Sequence, residues 1–261
     1  MHRDIFAQRR NESLVFFSLL AILTVGSVII THYDVVKGFL SFGEALNWGV
    51  SNFYPDAKSM IKLPDIFQKL KETVLMSVAA TTIASAFALM LALVGSRTTR
   101  SNSFFSILSR GIASFFRNVP LVAWAMVLML AFSQSALTGY LALFFGSVGF
   151  LTRSFIETID EVSHNSVEAL QATGARYSHI IFQSVLPSSM PQMISWLLYM
   201  IETNIRDATL VGILTGTGIG FSFDMYYKRL DYHSASLTVI LIVITVILIE
   251  SLSNKIRRVI L

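Results

Sequence analysis

The sequence contains no cysteine and few charged residues. Of its 261 residues, 14% are charged and 54% are hydrophobic. The absence of cysteine excludes disulfides, thiolate metal ligands and thiol nucleophiles, and it leaves the redox compartment undecided. So few charges on so apolar a chain are far from the composition of a soluble globular domain. The composition therefore predicts an integral membrane protein.

The apolar residues fall into six long runs. These runs are Leu14–Ile30, Thr73–Val94, Val119–Leu137, Leu141–Phe155, Met190–Gly216 and Ser234–Ile249. Because a helix needs about 20 residues to cross about 30 Å of hydrocarbon, each run is a candidate transmembrane helix, although the fourth is short and ends near Arg153. No small-residue cleavage pattern follows the first run, so we interpret it as a retained helix and not as a signal peptide. We predict an all-α polytopic membrane protein with about six transmembrane helices.

The distribution of lysine and arginine predicts how these helices are oriented. If both termini are cytoplasmic, six crossings place the following residues inside: Arg3, Arg9, Arg10, Arg97, Arg100, Arg110, Arg117, Arg153, Arg176, Lys255, Arg257 and Arg258. The lysines between Thr31 and Glu72 oppose this bias, but as many acids accompany them. We therefore treat the net charge of +4 as a topology signal. No aromatic-basic pattern indicates a nucleic-acid partner.

The segment between the first two runs has two open interpretations. Ile66, Phe67, Leu70 and Leu75 follow a helical spacing, and aromatic residues such as Trp48 suit the boundary between lipid and water. The pattern fits either a helix that lies on the outer surface or an ordered loop. Periodicity alone gives the two equal weight.

A connection rich in serine and arginine precedes the third apolar run. Residues 104–116 are apolar enough to lie in the membrane interface before that run begins. Proline in the first turn of a helix costs little, because its missing N–H would be unpaired there. Arg117, Asn118 and Pro120 therefore mark the start of a helix.

A polar, helix-breaking segment, EALQATGARYSHIIFQSVLP, occupies residues 168–187 between two apolar runs. Asn165 followed three residues later by Glu168 resembles a capping box, which starts a short helix. Gly174 supplies the left-handed residue that ends this helix.

The second half of this segment predicts another short helix. Residues 177–185 can form it, and Pro187 and Pro191 prevent its simple continuation. The product is a helix–turn–helix on the cytoplasmic face. It is either a docking surface for another protein or an ordinary amphipathic connector.

Two oppositely charged residues, Glu202 and Arg206, lie inside the fifth apolar run. They are about 18 and 24 Å along a helix that starts near Met190, where an unpaired charge costs roughly 2.5–3.5 kcal/mol. A spacing of four places them on one helical face, whereas Asn204 points elsewhere. Either Arg206 contributes positive potential to a passage for an oxyanion, with Glu202 holding or releasing it, or the two form a closed structural pair. The residues give both interpretations equal weight.

Four glycines, Gly212, Gly216, Gly218 and Gly220, follow this pair. On a helix, the spacing of four among three of them gives a smooth stripe that lets another backbone approach closely. We favour close helix packing over a flexible gate for this reason. The run GTGIGFS lacks the Lys-Ser/Thr ending of a nucleotide-binding P-loop.

The remaining polar residues predict no catalytic constellation and no metal site. His164 and His179 lack carboxylate or cysteine partners at the spacing of metal ligands. Asp160 and Glu161 are adjacent and so point in different directions on a helix, which fits a solvated face.

The polar segment resembles the EAA motif in the permease subunits of binding-protein-dependent ABC importers. The matching positions are Glu168, Ala169, Gly174, Ala175, Leu186 and Pro187. Leu170 and Ser184 depart from the motif, which usually has a second alanine and an aliphatic residue there. In that family the loop forms a coupling helix that fits a cleft on the cytoplasmic ATPase. The resemblance therefore implies that the matching residues couple this chain to an ATPase.

The resemblance narrows to the phosphonate branch of these permeases from about Lys69 onward. It is carried by RNVPLVAWAM at 117–126, EALQATGA at 168–175, VLPSSMPQ at 185–192 and ETNIRDATLVGILTGTGIG at 202–220. Leu121 stands where the branch often has an acid, and Thr217 interrupts a run that is usually richer in glycine. The implied organisation is a tail, first transmembrane helix and external segment over residues 1–68. A permease core follows over residues 69–261, with the EAA-type loop at 160–190.

The resemblance implies a transport subunit that is not an enzyme and holds no cofactor itself. It would carry phosphonate, phosphite or phosphate across the bacterial inner membrane. Two copies of a cytoplasmic ABC ATPase, which bind ATP and Mg, an external substrate-binding protein and a second permease copy would complete the complex as a homodimer. Two alternatives stay open. One is an ABC permease for another small solute such as methionine, and the other is an ATP-independent secondary transporter, which lacks the support of an inverted repeat.

Overall fold

The computed structural model describes residues 5–100 and 102–260, and every element in that part of the chain is helical. The predicted all-α polytopic fold is therefore confirmed. The chain divides into two compact units, Met1–Phe53 and Tyr54–Leu261.

The first unit holds two helices, α1 (Ile5–Ile30) and α2 (Val35–Asn52). The first predicted apolar run lies within α1, as does a candidate membrane span, Arg9–Ile30. The Asp34 side chain accepts the backbone N–H of Lys37 at 2.9 Å and so caps the first turn of α2. Part of the segment that fitted either a helix or a loop is therefore helical.

The second unit contains the remaining helices and one π-helical turn. In chain order they are α3 (Ala57–Ile61), α4 (Leu63–Gly95), α5 (Ser103–Asn118), α6 (Leu121–Phe132), α7 (Ala136–Val162), α8 (His164–Ala172), α9 (Tyr177–Ile180), the π-helical turn (Ile181–Val185), α10 (Leu186–Thr215), α11 (Gly218–Lys228) and α12 (Tyr232–Ile260).

The segment from Ile66 to Leu75 is helical and not a loop, but it is not a separate helix. Its residues belong to α4, which runs without a break for 33 residues. Ile66 and Leu70 are buried against Ile219 and Tyr226 of α11, so their apolar side faces protein. Periodicity finds an apolar stripe, but it does not say whether protein or the membrane surface covers that stripe.

The centre of the second unit is α7, which packs against α4, α5, α6 and α10. Four alanines of α4 recur at intervals of four and are completely buried: Ala80, Ala84, Ala88 and Ala92. They pack with residues of α7 such as Leu143 and Leu151. Small side chains at this spacing let two helix backbones approach closely, which is the usual way that helices associate in membranes. The alanine spacing is visible in the sequence, but it was not predicted as a packing stripe.

Four helices among the described residues could each cross a membrane by length and composition. They lie at Arg9–Ile30, Leu63–Gly95, Ala136–Val162 and Tyr232–Ile260. In two further cases, a pair of helices is long and apolar enough to cross a membrane only when the pair is counted as one span. These pairs are α5 with α6, which meet at a bend of 92°, and Tyr177–Thr215 with α11, which meet at a bend of 56°. Counting each bent pair as one span gives up to six crossings, the predicted number. The fourth run is part of the longer α7, so Arg153 does not end that helix.

Candidate functional site

The loop at residues 160–190, which contains the polar segment, turns sharply at Gly174. This glycine has φ +75° and follows the end of α8. Its N–H donates to the Gln171 carbonyl at 3.0 Å, and the Ala175 N–H donates to the Leu170 carbonyl at 3.1 Å. A Cβ added at Gly174 would meet nothing within 4 Å, so the backbone conformation, not the space, favours glycine. The predicted left-handed residue is confirmed.

The predicted capping box at the start of α8 is wrong. α8 begins at His164, and only Ser163 separates it from α7. The Ser163 backbone, with φ −99° and ψ −7°, stays near the right-handed helical region, and no side-chain cap forms. Its carbonyl accepts the Val167 N–H at 3.0 Å. Because α8 almost continues α7, Asn165 lies inside the helix instead of at its cap.

One side of the polar segment packs into the protein core, and the other side is exposed. Val167, Ile180 and Val185 are buried in a core cluster with residues of α4, α7 and α10. Two of the motif residues, Ala175 and Leu186, pack against the same cluster. The other four motif residues are exposed: Glu168, Ala169, Gly174 and Pro187. The exposed motif residues are therefore held in place by the neighbouring residues that pack into the core cluster.

The predicted stop at the prolines is also wrong. The helix of α9 continues through the π-helical turn into α10, so Tyr177–Thr215 is one helical stretch that contains Pro187 and Pro191. In the wider turn the Leu186 N–H bonds to the Ile181 carbonyl, five residues back. A proline ring clashes with the carbonyl four residues before it, and a π-helical turn displaces that carbonyl. The second predicted short helix is therefore the first part of the long helix.

Glu202 and Arg206 are hydrogen-bonded to each other on α10. Arg206 Nη2 donates to Glu202 Oε1 at 2.8 Å. The Glu202 residue is 8% exposed, whereas the side chain of Arg206 is 50% exposed. From the last turns of α12, Arg257 brings its Nη2 atom to 3.8 Å from Glu202 Oε2. The contact of Arg257 with Glu202 was not predicted, because the two residues are far apart in the chain.

The residues beside this pair differ in environment. Asn204 is buried and donates to Thr81 Oγ1 at 2.7 Å and to Ser147 Oγ at 2.6 Å, so it ties α10 to α4 and α7. The prediction that Asn204 points away from the pair is confirmed. Asp207 follows Arg206 and is half-buried. Glu202 and Asp207 together balance the formal charges of Arg206 and Arg257.

The four glycines do not lie along one helix. Gly216, with φ +68°, ends α10, and Gly218, with φ +61°, begins α11. A Cβ on Gly212 would come 3.4 Å from Gly220 Cα, and a Cβ on Gly220 would overlap the Thr209 carbonyl. The two helices therefore meet backbone to backbone where the chain bends. The predicted single-helix stripe is wrong, because a left-handed residue interrupts it.

The predicted helix start at Arg117, Asn118 and Pro120 is displaced. Arg117 and Asn118 are the last residues of α5, and Asn118 Nδ2 donates back to the Ser114 carbonyl at 2.8 Å. Pro120 precedes α6, whose first turn forms when the Trp124 N–H donates to the Pro120 carbonyl at 3.1 Å. Pro120 is therefore the cap of α6. The other two residues end the preceding helix, which meets α6 at 92°.

Asp160 is a tertiary anchor and not a residue of a solvated face. Its Oδ1 atom accepts from Ser96 Oγ at 2.5 Å and from the Thr98 N–H at 3.1 Å. Its Oδ2 atom accepts from Arg110 Nη2 at 3.3 Å, and Arg110 Nε donates to the Gly95 carbonyl at 2.7 Å. This carboxylate joins the ends of α4, α5 and α7. The solvated-face prediction for Asp160 is wrong, because its partners are distant in sequence.

Comparison with known proteins places this arrangement in a family. Residues 84–260 match the family described as the inner membrane component of binding-protein-dependent transport systems. A phosphite transport system permease protein of Stutzerimonas stutzeri is 31% identical over 189 residues, which cover 72% of this chain and 69% of that protein. A putative cryptic phosphonate transport system permease protein of Escherichia coli K12 is 35% identical over 118 residues, which cover 45% of this chain and 97% of that protein.

The fold also matches a solved transporter. An inward-facing structure of the MetNI methionine ABC transporter aligns with a TM-score of 0.66 at 20% identity, covering 79% of this chain and 99% of that one. At that identity the likeness concerns the fold alone. The family match covers the bent α5–α6 pair, the polar segment and the intramembrane charges. The chain therefore belongs to the family of inner-membrane components of binding-protein-dependent transport systems, the permease subunits of ABC importers.

Proposed function

We propose that this permease imports phosphonate or a related phosphorus oxyanion, such as phosphite or phosphate, and that a separate ATPase drives it. The observation that carries the substrate class is the similarity to permeases named for phosphite and phosphonate transport. Arg206 supports the proposal, because its half-exposed guanidinium presents a planar set of donors that suits a tetrahedral oxyanion. An intramembrane cation of this kind faces a passage or a partner and not lipid.

The proposed ATPase contact is the exposed side of the polar segment. Glu168 and Gly174 lie on that side, while Val167, Leu170 and Leu186 pack into the core cluster. A force applied at the exposed side is thereby passed to α4, α7 and α10, since the cluster includes residues of all three helices. This anchoring supports a coupling role over that of a loose connector.

The family, whose transport depends on a binding protein, supports the rest of the proposed complex. Two copies of this chain form a homodimer with two ATPase subunits, which bind ATP and Mg, and an external protein delivers the substrate. Both termini of the chain are cytoplasmic, which places the polar segment on the ATPase side. Nucleotide binding favours one access state and hydrolysis restores the other, because the ATPase binds the two states with different affinity.

The decisive experiment reconstitutes this chain with its ATPase and binding protein in liposomes. Methylphosphonate, phosphite and phosphate are offered separately, and both ATP hydrolysis and uptake are measured. We expect at least one of them to stimulate both, and methionine to stimulate neither. If methionine alone stimulates uptake, the substrate class is wrong. If uptake of a phosphorus oxyanion proceeds without ATP, the proposed ATPase coupling is wrong.

A further inference from the structure

A second basic region lies apart from the Glu202–Arg206 pair. A cavity of about 320 Å³ opens between α5 and α7, and its polar lining consists of Arg110, Ser114, Arg117, Asn118 and Arg153. It has room for an anion together with several water molecules. Three guanidinium groups therefore line one cavity.

A neighbouring space of about 490 Å³ shares Arg110 and Arg153 with this cavity. It adds one more guanidinium, from Arg97, and two carboxylates, from Glu157 and Asp160. The formal charge of the combined lining is positive, because the arginines outnumber the acids. The charges around Glu202 are balanced by comparison, so the formal charge of this lining is more positive than that around Glu202.

The three arginines of the cavity differ in whether they form an ion pair. Arg110 pairs with Asp160 at 3.3 Å, and Arg153 pairs with Glu157 at 2.5 Å. Within residues 5–100 and 102–260, Arg117 takes part in none of the ion pairs. The Arg117 guanidinium therefore has its donors free for a ligand, and five donors in a planar fork suit two oxygens of one anion.

The backbone around Arg117 is held in place. An added Cβ on Gly149 of α7 would come 2.7 Å from the Phe116 carbonyl carbon and 2.9 Å from Arg117 Cα, so α5 and α7 are in direct backbone contact. At the other end of the cavity, a hydrogen bond from Arg110 Nε to the Gly95 carbonyl holds the Arg110 side chain in place. These contacts fix the helix positions from which Arg110, Arg117 and Arg153 reach the cavity, which favours a local site over a diffuse basic surface.

The cavity lies toward the end of the bundle that carries the polar segment. Arg153 is about 25 Å along α7 from its first residue and only about 13 Å from its last, at 1.5 Å per residue. Basic pockets between membrane helices near a cytoplasmic boundary bind phosphate groups, such as those of lipid headgroups. We propose that the arginine cavity binds a phosphate-type oxyanion, with Arg117 as its main ligand and Arg153, whose pair with Glu157 is made through Nε, as its second ligand. The source of the phosphate group is either an anionic lipid headgroup or a free phosphate ion.

Direct binding to the full-length chain tests this proposal without the ATPase or uptake. Labelled inorganic phosphate is titrated against the chain in uncharged detergent. In a second arm, native mass spectrometry measures how much phosphatidylglycerol the chain retains from nanodiscs that also contain phosphatidylcholine. We expect saturable binding in at least one arm. Phosphate binding alone identifies a free ion, and retention of phosphatidylglycerol alone identifies a headgroup.

The variants locate the site. Arg117→Gln and Arg153→Gln should each weaken the binding about tenfold, as expected for the loss of a charge-assisted hydrogen bond. Arg100→Gln is the matched control, because this exposed arginine lies outside both lining sets, and it should leave binding unchanged. If Arg117→Gln does not yield a monodisperse protein, Arg117→Lys retains the charge but lacks the fork and should still bind several-fold more weakly.

Three outcomes overturn the proposal. One is the absence of saturable binding in both arms. Another is an equal loss in Arg100→Gln, which would indicate general surface charge. The third is wild-type affinity in Arg153→Gln together with wild-type affinity in Arg117→Gln, or in Arg117→Lys where the glutamine variant is not monodisperse. The failure of this proposal is distinguishable from the failure of the proposed import, because binding is measured on the chain alone and import is measured as uptake with the ATPase.

Discussion

The carboxylate of Glu202 lies between two guanidinium groups, with Arg257 of α12 at 3.8 Å and Arg206 of α10 at 2.8 Å. Among the described residues, the Nε and Nη2 atoms of Arg257 have no hydrogen-bond partner although they are buried. Arg257 therefore depends on Glu202 for its electrostatic compensation. Arg206, whose side chain is half exposed, has more freedom to exchange Glu202 for another anion.

The first prediction concerns the stability of this arrangement. Glu202→Gln should lower stability by about 1–3 kcal/mol, because it leaves the partly buried guanidinium of Arg257 without its carboxylate. Arg206→Gln should cost about 1 kcal/mol or less, because that side chain is half exposed and Arg257 remains beside Glu202. Thermal unfolding of the two variants in detergent compares them. An equal loss would contradict the unequal roles of the two arginines.

Transport provides the second prediction. Arg206→Met should reduce uptake of the phosphorus oxyanion about tenfold or more while leaving the complex assembled, because the methionine offers no donor to the anion. Arg229→Met is a control, since this arginine is exposed in the connection after α11. Normal uptake by normally assembled Arg206→Met would restrict this arginine to a structural role.

The contact between α10 and α11 provides the third prediction. Gly220→Ala should destabilise the chain, because the added Cβ overlaps the Thr209 carbonyl and lies 3.0 Å from the Ile213 nitrogen. Overpacking of this kind costs about 1–3 kcal/mol. Gly111→Ala in α5 is the matched control, because its Cβ meets nothing within 4 Å and alanine is favoured in helices by about 1 kcal/mol. Comparable thermal stability of the two variants would argue against a tight backbone contact.

A fourth prediction separates backbone conformation from contact at the turn of the polar segment. Gly174→Asn should retain ATPase coupling, because asparagine tolerates positive φ. Gly174→Val should lose it, because a β-branched residue is strained by about 1–2 kcal/mol or more at φ +75°. The measurement is ATP hydrolysed per substrate imported by the reconstituted complex.

Glu168→Arg tests the exposed side of the same segment. This change should weaken association with the ATPase without unfolding the membrane helices, since Glu168 is exposed. Full coupling in both Gly174→Val and Glu168→Arg would remove the polar segment from the mechanism.

The fifth prediction concerns pH at the connection between α11 and α12. Burial raises the pKa of Asp231, but hydrogen bonds from Lys62 and Ser234 outweigh it and hold this pKa below its usual value. A carboxyl whose pKa is lowered on folding stabilises the protein above its unfolded pKa, about 3.9, and this stability is lost as the pH falls through the folded pKa. Asp231→Asn should therefore be less stable than the wild type at pH 7, and the difference should shrink as the pH falls from 7 to 3. A difference in thermal stability that stays constant between these values would contradict the assignment.

Several features of the site were accessible from the sequence because they depend on near neighbours in the chain. The left-handed turn at Gly174 and the orientation of Asn204 away from Glu202 and Arg206 are local matters of φ preference and helical spacing. The wrong predictions concern residues whose environment depends on neighbouring helices or turns. Pro187 predicts a stop, but a π-helical turn accommodates it. Asp160 fits a solvated face until α4 and α5 supply its partners.

The sequence by itself determined that this chain is an all-α membrane protein with up to six crossings and that Glu202 and Arg206 share a helical face. Hydropathy and helical period are local properties, so they can be read along a single chain. Only the tertiary structure decided that Arg257 joins Glu202, and that Arg110, Arg117 and Arg153 line one cavity. These relationships depend on which helices pack together and at what angle, and small residues such as Gly149 set that packing by allowing close backbone approach.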